Sequence, residues 1–383
     1  MLAIPLGWMQ LKHQKMRLLV ALAGIAFAVI LICMQLGFRA SLFESAARYQ
    51  QRLDYDIVLF GRESPIIVNP RSFSSRRLYQ TLAVEGVESV VPLYVAPASW
   101  RNPETNEVRT IFVVGLSPAN DVLHTPGVSE QLGKLKRRDV FLYDALSRPE
   151  YGPIAESFRA GESVSLEVNN RTMRLVGLYE MGTSFGIDGA MLTSDDNFLR
   201  LFPQRQRTQI DLGLLKLAPG TDLKQVQAAI RELVPQDVLV LTKAEFISRE
   251  KAYWNSTTPI GYVFAFGAVM GFVVGAIIVY QILFADVSDH LAEYATLKAM
   301  GYSNRFVSGV VIQQAVILAL LGYLPGLAIS MWLYKNAAEA TQLPIVMTPE
   351  RGVTVLLLTI LMCMISGLIA LRKVRSLDPA DVF

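Results

Sequence analysis

The sequence predicts a polytopic α-helical membrane protein. It has four transmembrane helices and a large α+β extracytoplasmic domain between the first two. Three observations carry this. Four apolar runs are free of charge, at 18–38, 260–285, 306–334 and 352–371. About 220 residues of mixed strand and helix character separate the first run from the second, enough for one or two folded domains. The link from Asp286 to Arg305 is polar and too short to hold more than a helix and a turn. Of the 383 residues 52% are hydrophobic and 18% charged, skewed toward an apolar solvent.

Each run meets the ~20 apolar residues that a bilayer core requires of a helix. A buried core helix is the plainer alternative, and four such runs flanked by charge weigh against it. The first follows Lys12, Lys15 and Arg17, as a signal peptide would, but it exceeds the ~7–15 residues of a signal's apolar region. An uncleaved span is expected. Residues 1–17 read as a short cytosolic interfacial helix with Trp8 at headgroup level, in competition with a frayed terminus.

Lys and Arg set the orientation. Lys12, Lys15 and Arg17, then Lys298 and Arg305, then Arg372, Lys373 and Arg375 lie on one side, which is expected to be cytosolic. The loop 335–351 has basic residues only at its borders, Lys335 and Arg351, and is placed outside with residues 39–259. The tail 372–383 returns to the cytosol. In the second span Gly267, Gly271 and Gly275 recur every four residues and make a groove for a closely approaching helix, either in the same chain or in a second copy. Pro325 in the third span removes a backbone donor and is expected to kink or break its helix.

Within the outer segment, strands are expected at 55–61, 87–100, 110–116, 209–217 and 238–241. Helices are expected at 39–53, 75–85 and 222–233, the last capped by Asp222. Two βαβ-type units of this kind describe a split βαβ part. Residues from about 121 to 202 would form an inserted β-rich lobe, with strands at 140–143, 163–168, 173–179 and 189–193 and turns at Gly161 and Asn169-Asn170. The Met181–Gly189 loop, with Phe185 and Ile187, could touch a partner or ligand; an ordinary strand connection is the weightier reading.

No P-loop, HExxH or GxSxG pattern occurs, so no catalytic site or bound cofactor is expected in these residues. Cys33 and Cys363 fall in apolar runs, and His13, His124 and His290 are scattered, so neither a disulfide framework nor a metal site is expected. A net charge of +3 gives no reason to invoke nucleic acid. The four spans contain no ionisable side chain of the kind ion relays use. Any energy must then come from a partner. The input is expected at the link, where Leu291, Tyr294, Ala295 and Leu297 alternate with Asp289, Glu293 and Lys298 in an amphipathic helix ending at a C-cap glycine, Gly301.

The link also carries a resemblance. Glu293, Leu297, Lys298, Gly301 and Arg305 fill the Glu, apolar, basic, Gly and basic places of a motif often written REIGLLRALG, with Ala292 where an Arg usually stands. LRKVRSLDPADVF matches a basic-then-Pro ending. On these residues the chain resembles the MacB/FtsX-like permease superfamily of ABC transporters, and SDHLAEYATLKAMGYS looks most like its DevC type. The resemblance implies a separate DevA-like ATPase subunit that binds ATP and Mg. It also implies a DevB-like periplasmic membrane-fusion adaptor, a TolC-type outer-membrane channel, a homodimer, and a bacterial, cyanobacterial inner membrane. The implied work is mechanotransmission, with export of a glycolipid or other envelope lipid. Asp289, Glu293, Leu297, Lys298, Gly301 and Arg305 would couple to the ATPase. An FtsX-like regulator of a periplasmic hydrolase and a lipoprotein-releasing permease of the LolC/LolE kind stay open as alternatives.

Overall fold

A computed structural model describes residues 15–375, apart from the side chains of residues 294, 297–299, 304, 305, 307 and 372–375. The expected interfacial helix at 1–14 and the end of the tail, from residue 376 on, lie outside the described residues. Two compact units emerge: 1–41 with 259–341 and 345–383, and 42–258 with 342–344.

The chain enters on α1 (Lys15–Ala46), which runs past the apolar stretch because nothing in RASLFESA interrupts a helix. A turn at Ala47 separates it from α2 (Arg48–Arg52). The sheet unit follows. β1 (Ile57–Gly61), β2 (Phe73–Ser74), α3 (Ser75–Gln80), β3 (Val87–Arg101) and β4 (Val108–Leu116) make its first part. β5 (Val140–Asp144), α4 (Ile154–Arg159), β6 (Ser165–Val168), β7 (Arg171–Tyr179), β8 (Ala190–Ser194) and α5 (Asp195–Leu201) make its middle. β9 (Gln209–Ile210), β10 (Leu212–Leu217), α6 (Leu223–Leu233), β11 (Val238–Thr242) and α7 (Lys243–Ser256) complete it.

The two βαβ units are β1-α3-β3 and β10-α6-β11, woven into one sheet in the order β11-β1-β10-β3. Asp222 caps α6 by accepting from the N–H groups of Lys224 and Gln225. On one face Leu78 of α3 and Val226 and Ile230 of α6 bury against Ile57, Leu59, Leu215 and Val240. On the other, Phe246 of α7 packs with Tyr55, Phe60 and Val58. The strand expected over 209–217 is two strands. Asp211, fully buried, accepts from Val95 N–H, Ser72 Oγ and Arg205 Nη2, at 2.9, 2.9 and 2.7 Å, and its turned backbone sends β9 to β2 and β10 to β3.

The middle segment does not build a sheet of its own. β3 is 15 residues long; its second half pairs with β4, and the order continues β4-β8-β5-β7-β6. β6 then pairs back on β3 at Val168↔Trp100, closing six strands into a ring. Trp100, fully buried, lies stacked on Tyr143 at 5.5 Å and edge-on to Phe141 and Tyr151, and its indole N–H donates to the Tyr151 carbonyl at 3.2 Å. The expected turns are present: Gly161, Asn169 and Asn170 all have positive φ.

The chain then becomes helical again: α8 (Ile260–Asp289), α9 (Leu291–Ala299), α10 (Asn304–Thr341) and α11 (Pro349–Arg375). Among the described residues, α1, α8, α10 and α11 are long and apolar enough to cross a membrane. Pro325 does not interrupt α10, which stays helical on both sides of it. The glycine groove of α8 is filled from within the chain. A Cβ on Gly267 would meet Gln35, one on Gly271 would meet Leu31 and Ile32, and one on Gly275 would meet Ala28 and Met362. Gly322 and Gly326 of α10 similarly face Ile25 and Val29. α1 therefore packs against small-residue faces of both α8 and α10, the close backbone approach that drives helix association in lipid.

Candidate coupling site

The link between the second and third spans is built as three pieces: the end of α8, a one-residue turn at His290, and α9. α8 extends beyond the apolar run to Asp289, so the first acidic residue after that run is helical and buried. Asp286 is 3% exposed and accepts a hydrogen bond from Nε2 of Gln314 on α10, itself fully buried, at 2.9 Å. His290 Nδ1 lies 2.9 Å from the Asp286 carbonyl and 3.6 Å from its carboxylate. Spans read as free of ionisable side chains thus end on a buried, paired carboxylate. Its signal in the sequence is a lone Asp directly after an apolar run with a His four residues on.

Asp289 forms an ion pair with Arg17 of α1 at 2.7 Å, both partly exposed. Glu293 stands in the first turn of α9, where a carboxylate suits the positive end of the helix dipole. The backbone of Leu297 and Lys298 lies in the last turn of α9 and that of Arg305 in the first turn of α10; the side chains of these three lie outside the described residues. Gly301 has φ +92°, a conformation that side-chain-bearing residues rarely adopt, which fits the C-cap role.

α9 is seated on the helices around it. Leu291 packs with Val287 of α8, Val311 of α10 and Leu371 of α11, and Ala295 is buried. Past its end Met300, Tyr302 and Phe306 stay exposed, with the Tyr302 and Phe306 rings 4.7 Å apart. An apolar foot at Leu291 seats the short helix on α8, α10 and α11, and an ion pair and a buried hydrogen bond tie the end of α8 to α1 and α10.

The comparisons decide what this is. An FtsX-like permease C-terminal domain matches residues 265–379, and a MacB-like periplasmic core domain matches residues 18–233, more than half of the chain. The chain belongs to the MacB/FtsX-like family of ABC transporter permeases. An uncharacterised ABC transporter permease of Mycobacterium bovis is 23% identical over 382 residues, covering 97% of each chain. Another, from Mycobacterium tuberculosis, is 22% identical over 400 residues and covers 100% of this chain and 99% of its own. The periplasmic region of MacB from Actinobacillus actinomycetemcomitans covers 51% of this chain and 92% of its own at 13% identity, with a TM-score of 0.36. A permease of this family is a membrane protein with a large extracytoplasmic domain, and an ABC transporter permease implies an ATPase partner.

Proposed function

We propose that this permease is of the DevC type. ATP binding and hydrolysis in a separate DevA-like subunit would move the α9 link, and the spans would pass that movement to the extracytoplasmic domain. A glycolipid or related envelope lipid held outside the membrane would then be pushed into a DevB-like adaptor and a TolC-type channel. Two permeases would work as a homodimer in a cyanobacterial inner membrane. With the large domain outside, four crossings would leave α9 and both termini in the cytosol, and the basic residues near the ends of the spans support that orientation.

One observation carries the reading. α9 is anchored by Leu291 to Val287, Val311 and Leu371, and the helix before it is tied to α1 by Asp289 and Arg17. A push on this one helix reaches all four spans together. Exposed Met300, Tyr302 and Phe306 supply an apolar surface for the ATPase beside it.

The test is ATPase activity and export by the reconstituted complex carrying Glu293→Ala with Lys298→Ala. Loss of adaptor-stimulated activity is expected; unchanged stimulation and unchanged export would sink the reading. Mass spectrometry of lipids and proteins retained by the purified complex addresses the cargo. A retained glycolipid supports the DevC type, and a retained lipidated protein moves the chain to lipoprotein release.

A further inference from the structure

The Met181–Gly189 loop, between β7 and β8, is not an ordinary exposed connection. Thr183, Ser184 and Ile187 are 1%, 3% and 4% exposed, while Phe185, Gly186 and Asp188 are exposed. Three of its residues reach other segments of the chain. The Met181 carbonyl accepts from Arg48 Nη1 at 3.1 Å, and Arg48 opens α2, two residues past the end of α1. Phe185 meets Trp254 edge-on, with centroids 4.7 Å apart, and Trp254 lies in α7, which leads into α8. Thr183 Oγ1 donates to the carbonyl of Gln342 at 3.0 Å, and Gln342 follows directly on α10 in the connection to α11.

The loop therefore touches the outer continuation of the first span, that of the second, and the connection between the third and fourth. It is fixed to the ring of strands as well. The N–H groups of Met181 and Gly182 donate to the two carboxylate oxygens of Asp144, at the end of β5, at 3.0 and 2.9 Å. Asp144 is 1% exposed and also accepts from Leu146 N–H, so both of its oxygens are engaged and the loop is held to β5 by charge-assisted bonds. Gly182 has φ +85°, and a Cβ there would run into the Arg48 guanidinium. A glycine thus lets the backbone pass close beside the Arg48 side chain.

We propose that residues 181–187 are the node at which movement of the spans is handed to the sheet domain, with Thr183 and Phe185 as its positioning residues. The proposal rests on the reading that ATP-driven movement of the spans is what the domain receives. A loop that merely filled space would need no separate attachment to each of three chain segments. A transmitting one needs all of them, plus a stiff link to the body it drives. Asp144 provides that link.

The experiment is hydrogen–deuterium exchange of the full permease assembled with its ATPase in nanodiscs, with and without ATP and vanadate. In the wild type, nucleotide is expected to change exchange both in α2 and α7 and in β5 and β7. With Thr183→Val and Phe185→Ala the change in α2 and α7 should persist and that in β5 and β7 should vanish, while Thr183→Ser keeps both. Persistence of the β5 and β7 change in the variants overturns the node. Absence of any nucleotide effect on α2 and α7 in the wild type overturns the underlying reading instead. Phe185→Ala alone removes a half-exposed ring and serves if the double variant loses protection throughout the domain.

Discussion

Gln314 reaches across from α10 to hold the carboxylate of Asp286 at the end of α8, at 2.9 Å and out of contact with water. A buried acceptor that loses its donor bears the desolvation cost, typically ~1–3 kcal/mol and more for a charge. Gln314→Leu is therefore expected to lower the thermal midpoint of the purified permease. Asp286→Asn added to it should recover part of the loss, because a neutral amide tolerates the unpaired site better. A double variant as unstable as the sum of the two single ones would show that the pair does not act together.

The glycines of α8 predict a contrast. Gly275→Leu would drive a side chain into Ala28 and Met362, and should leave little monodisperse protein in size-exclusion chromatography. Gly309 has open space where its Cβ would be. Gly309→Ala should be silent or stabilising by up to ~1 kcal/mol, since alanine is the better helix former. Equal behaviour of the two variants would refute the packing of α1 on α8.

Glu250 makes the sheet domain sensitive to pH. Burial lifts its pKa from the ordinary value of 4.5 to about 7, against hydrogen bonds from Ile67 N–H, the Trp254 indole and Gln50. The folded state holds the proton more tightly than the unfolded chain. The associated stability is complete below pH 4.5 and lost as pH rises through about 7. Each pKa unit corresponds to ~1.4 kcal/mol. Glu250→Gln, which resembles the protonated acid, should remove most of the fall in melting temperature across that window and melt above the wild type at alkaline pH. An unchanged slope would place the titration elsewhere.

Trp100 closes the ring of strands, and its removal tests that closure. Trp100→Ala should cost ~3–5 kcal/mol, as large aromatic truncations in cores do. It should also expose the chain between β5 and β8 to protease before the β1-β10-β11 side. Trp100→Phe, which keeps the ring stacking but loses the donor to the Tyr151 carbonyl, should fall between. Uniform proteolysis of the domain would argue that the ring is not a separable part of it.

Much of this architecture was legible in the sequence, and the parts that were not share a cause. The four spans, the α6 cap at Asp222, the turn at Asn169-Asn170 and the strands around them depend on residues close together in the chain, so local pattern reveals them. The closure of β6 on β3 joins Val168 to Trp100, and the split at Asp211 depends on Val95 and Ser72. Neither relation leaves a local trace. Asp286 looked like the start of a loop because a charge ended the apolar run; it is helical because Gln314, 28 positions away, satisfies it. The loop at 181–187 looked unremarkable for the same reason, as its partners Arg48, Trp254 and Gln342 come from three distant segments. Pro325 stays within its helix, as prolines do in lipid where neighbours compensate.

The register of β1 bears on how the permease is made. Ile57 leaves the membrane early in synthesis, yet its neighbours in the sheet are Leu215 on one side and Thr242 on the other. Pairing between such distant segments is slow, and an unpaired apolar strand is prone to aggregate. The first strand to be translocated must therefore wait, unzipped, until nearly the whole domain has followed it out. Only the helix α7 separates Thr242 from the second span, which begins at Ile260, so membrane insertion of α8 follows closely on completion of the sheet in biogenesis. Extracytoplasmic chaperones would meet this protein as a tethered, half-paired chain rather than as a finished domain.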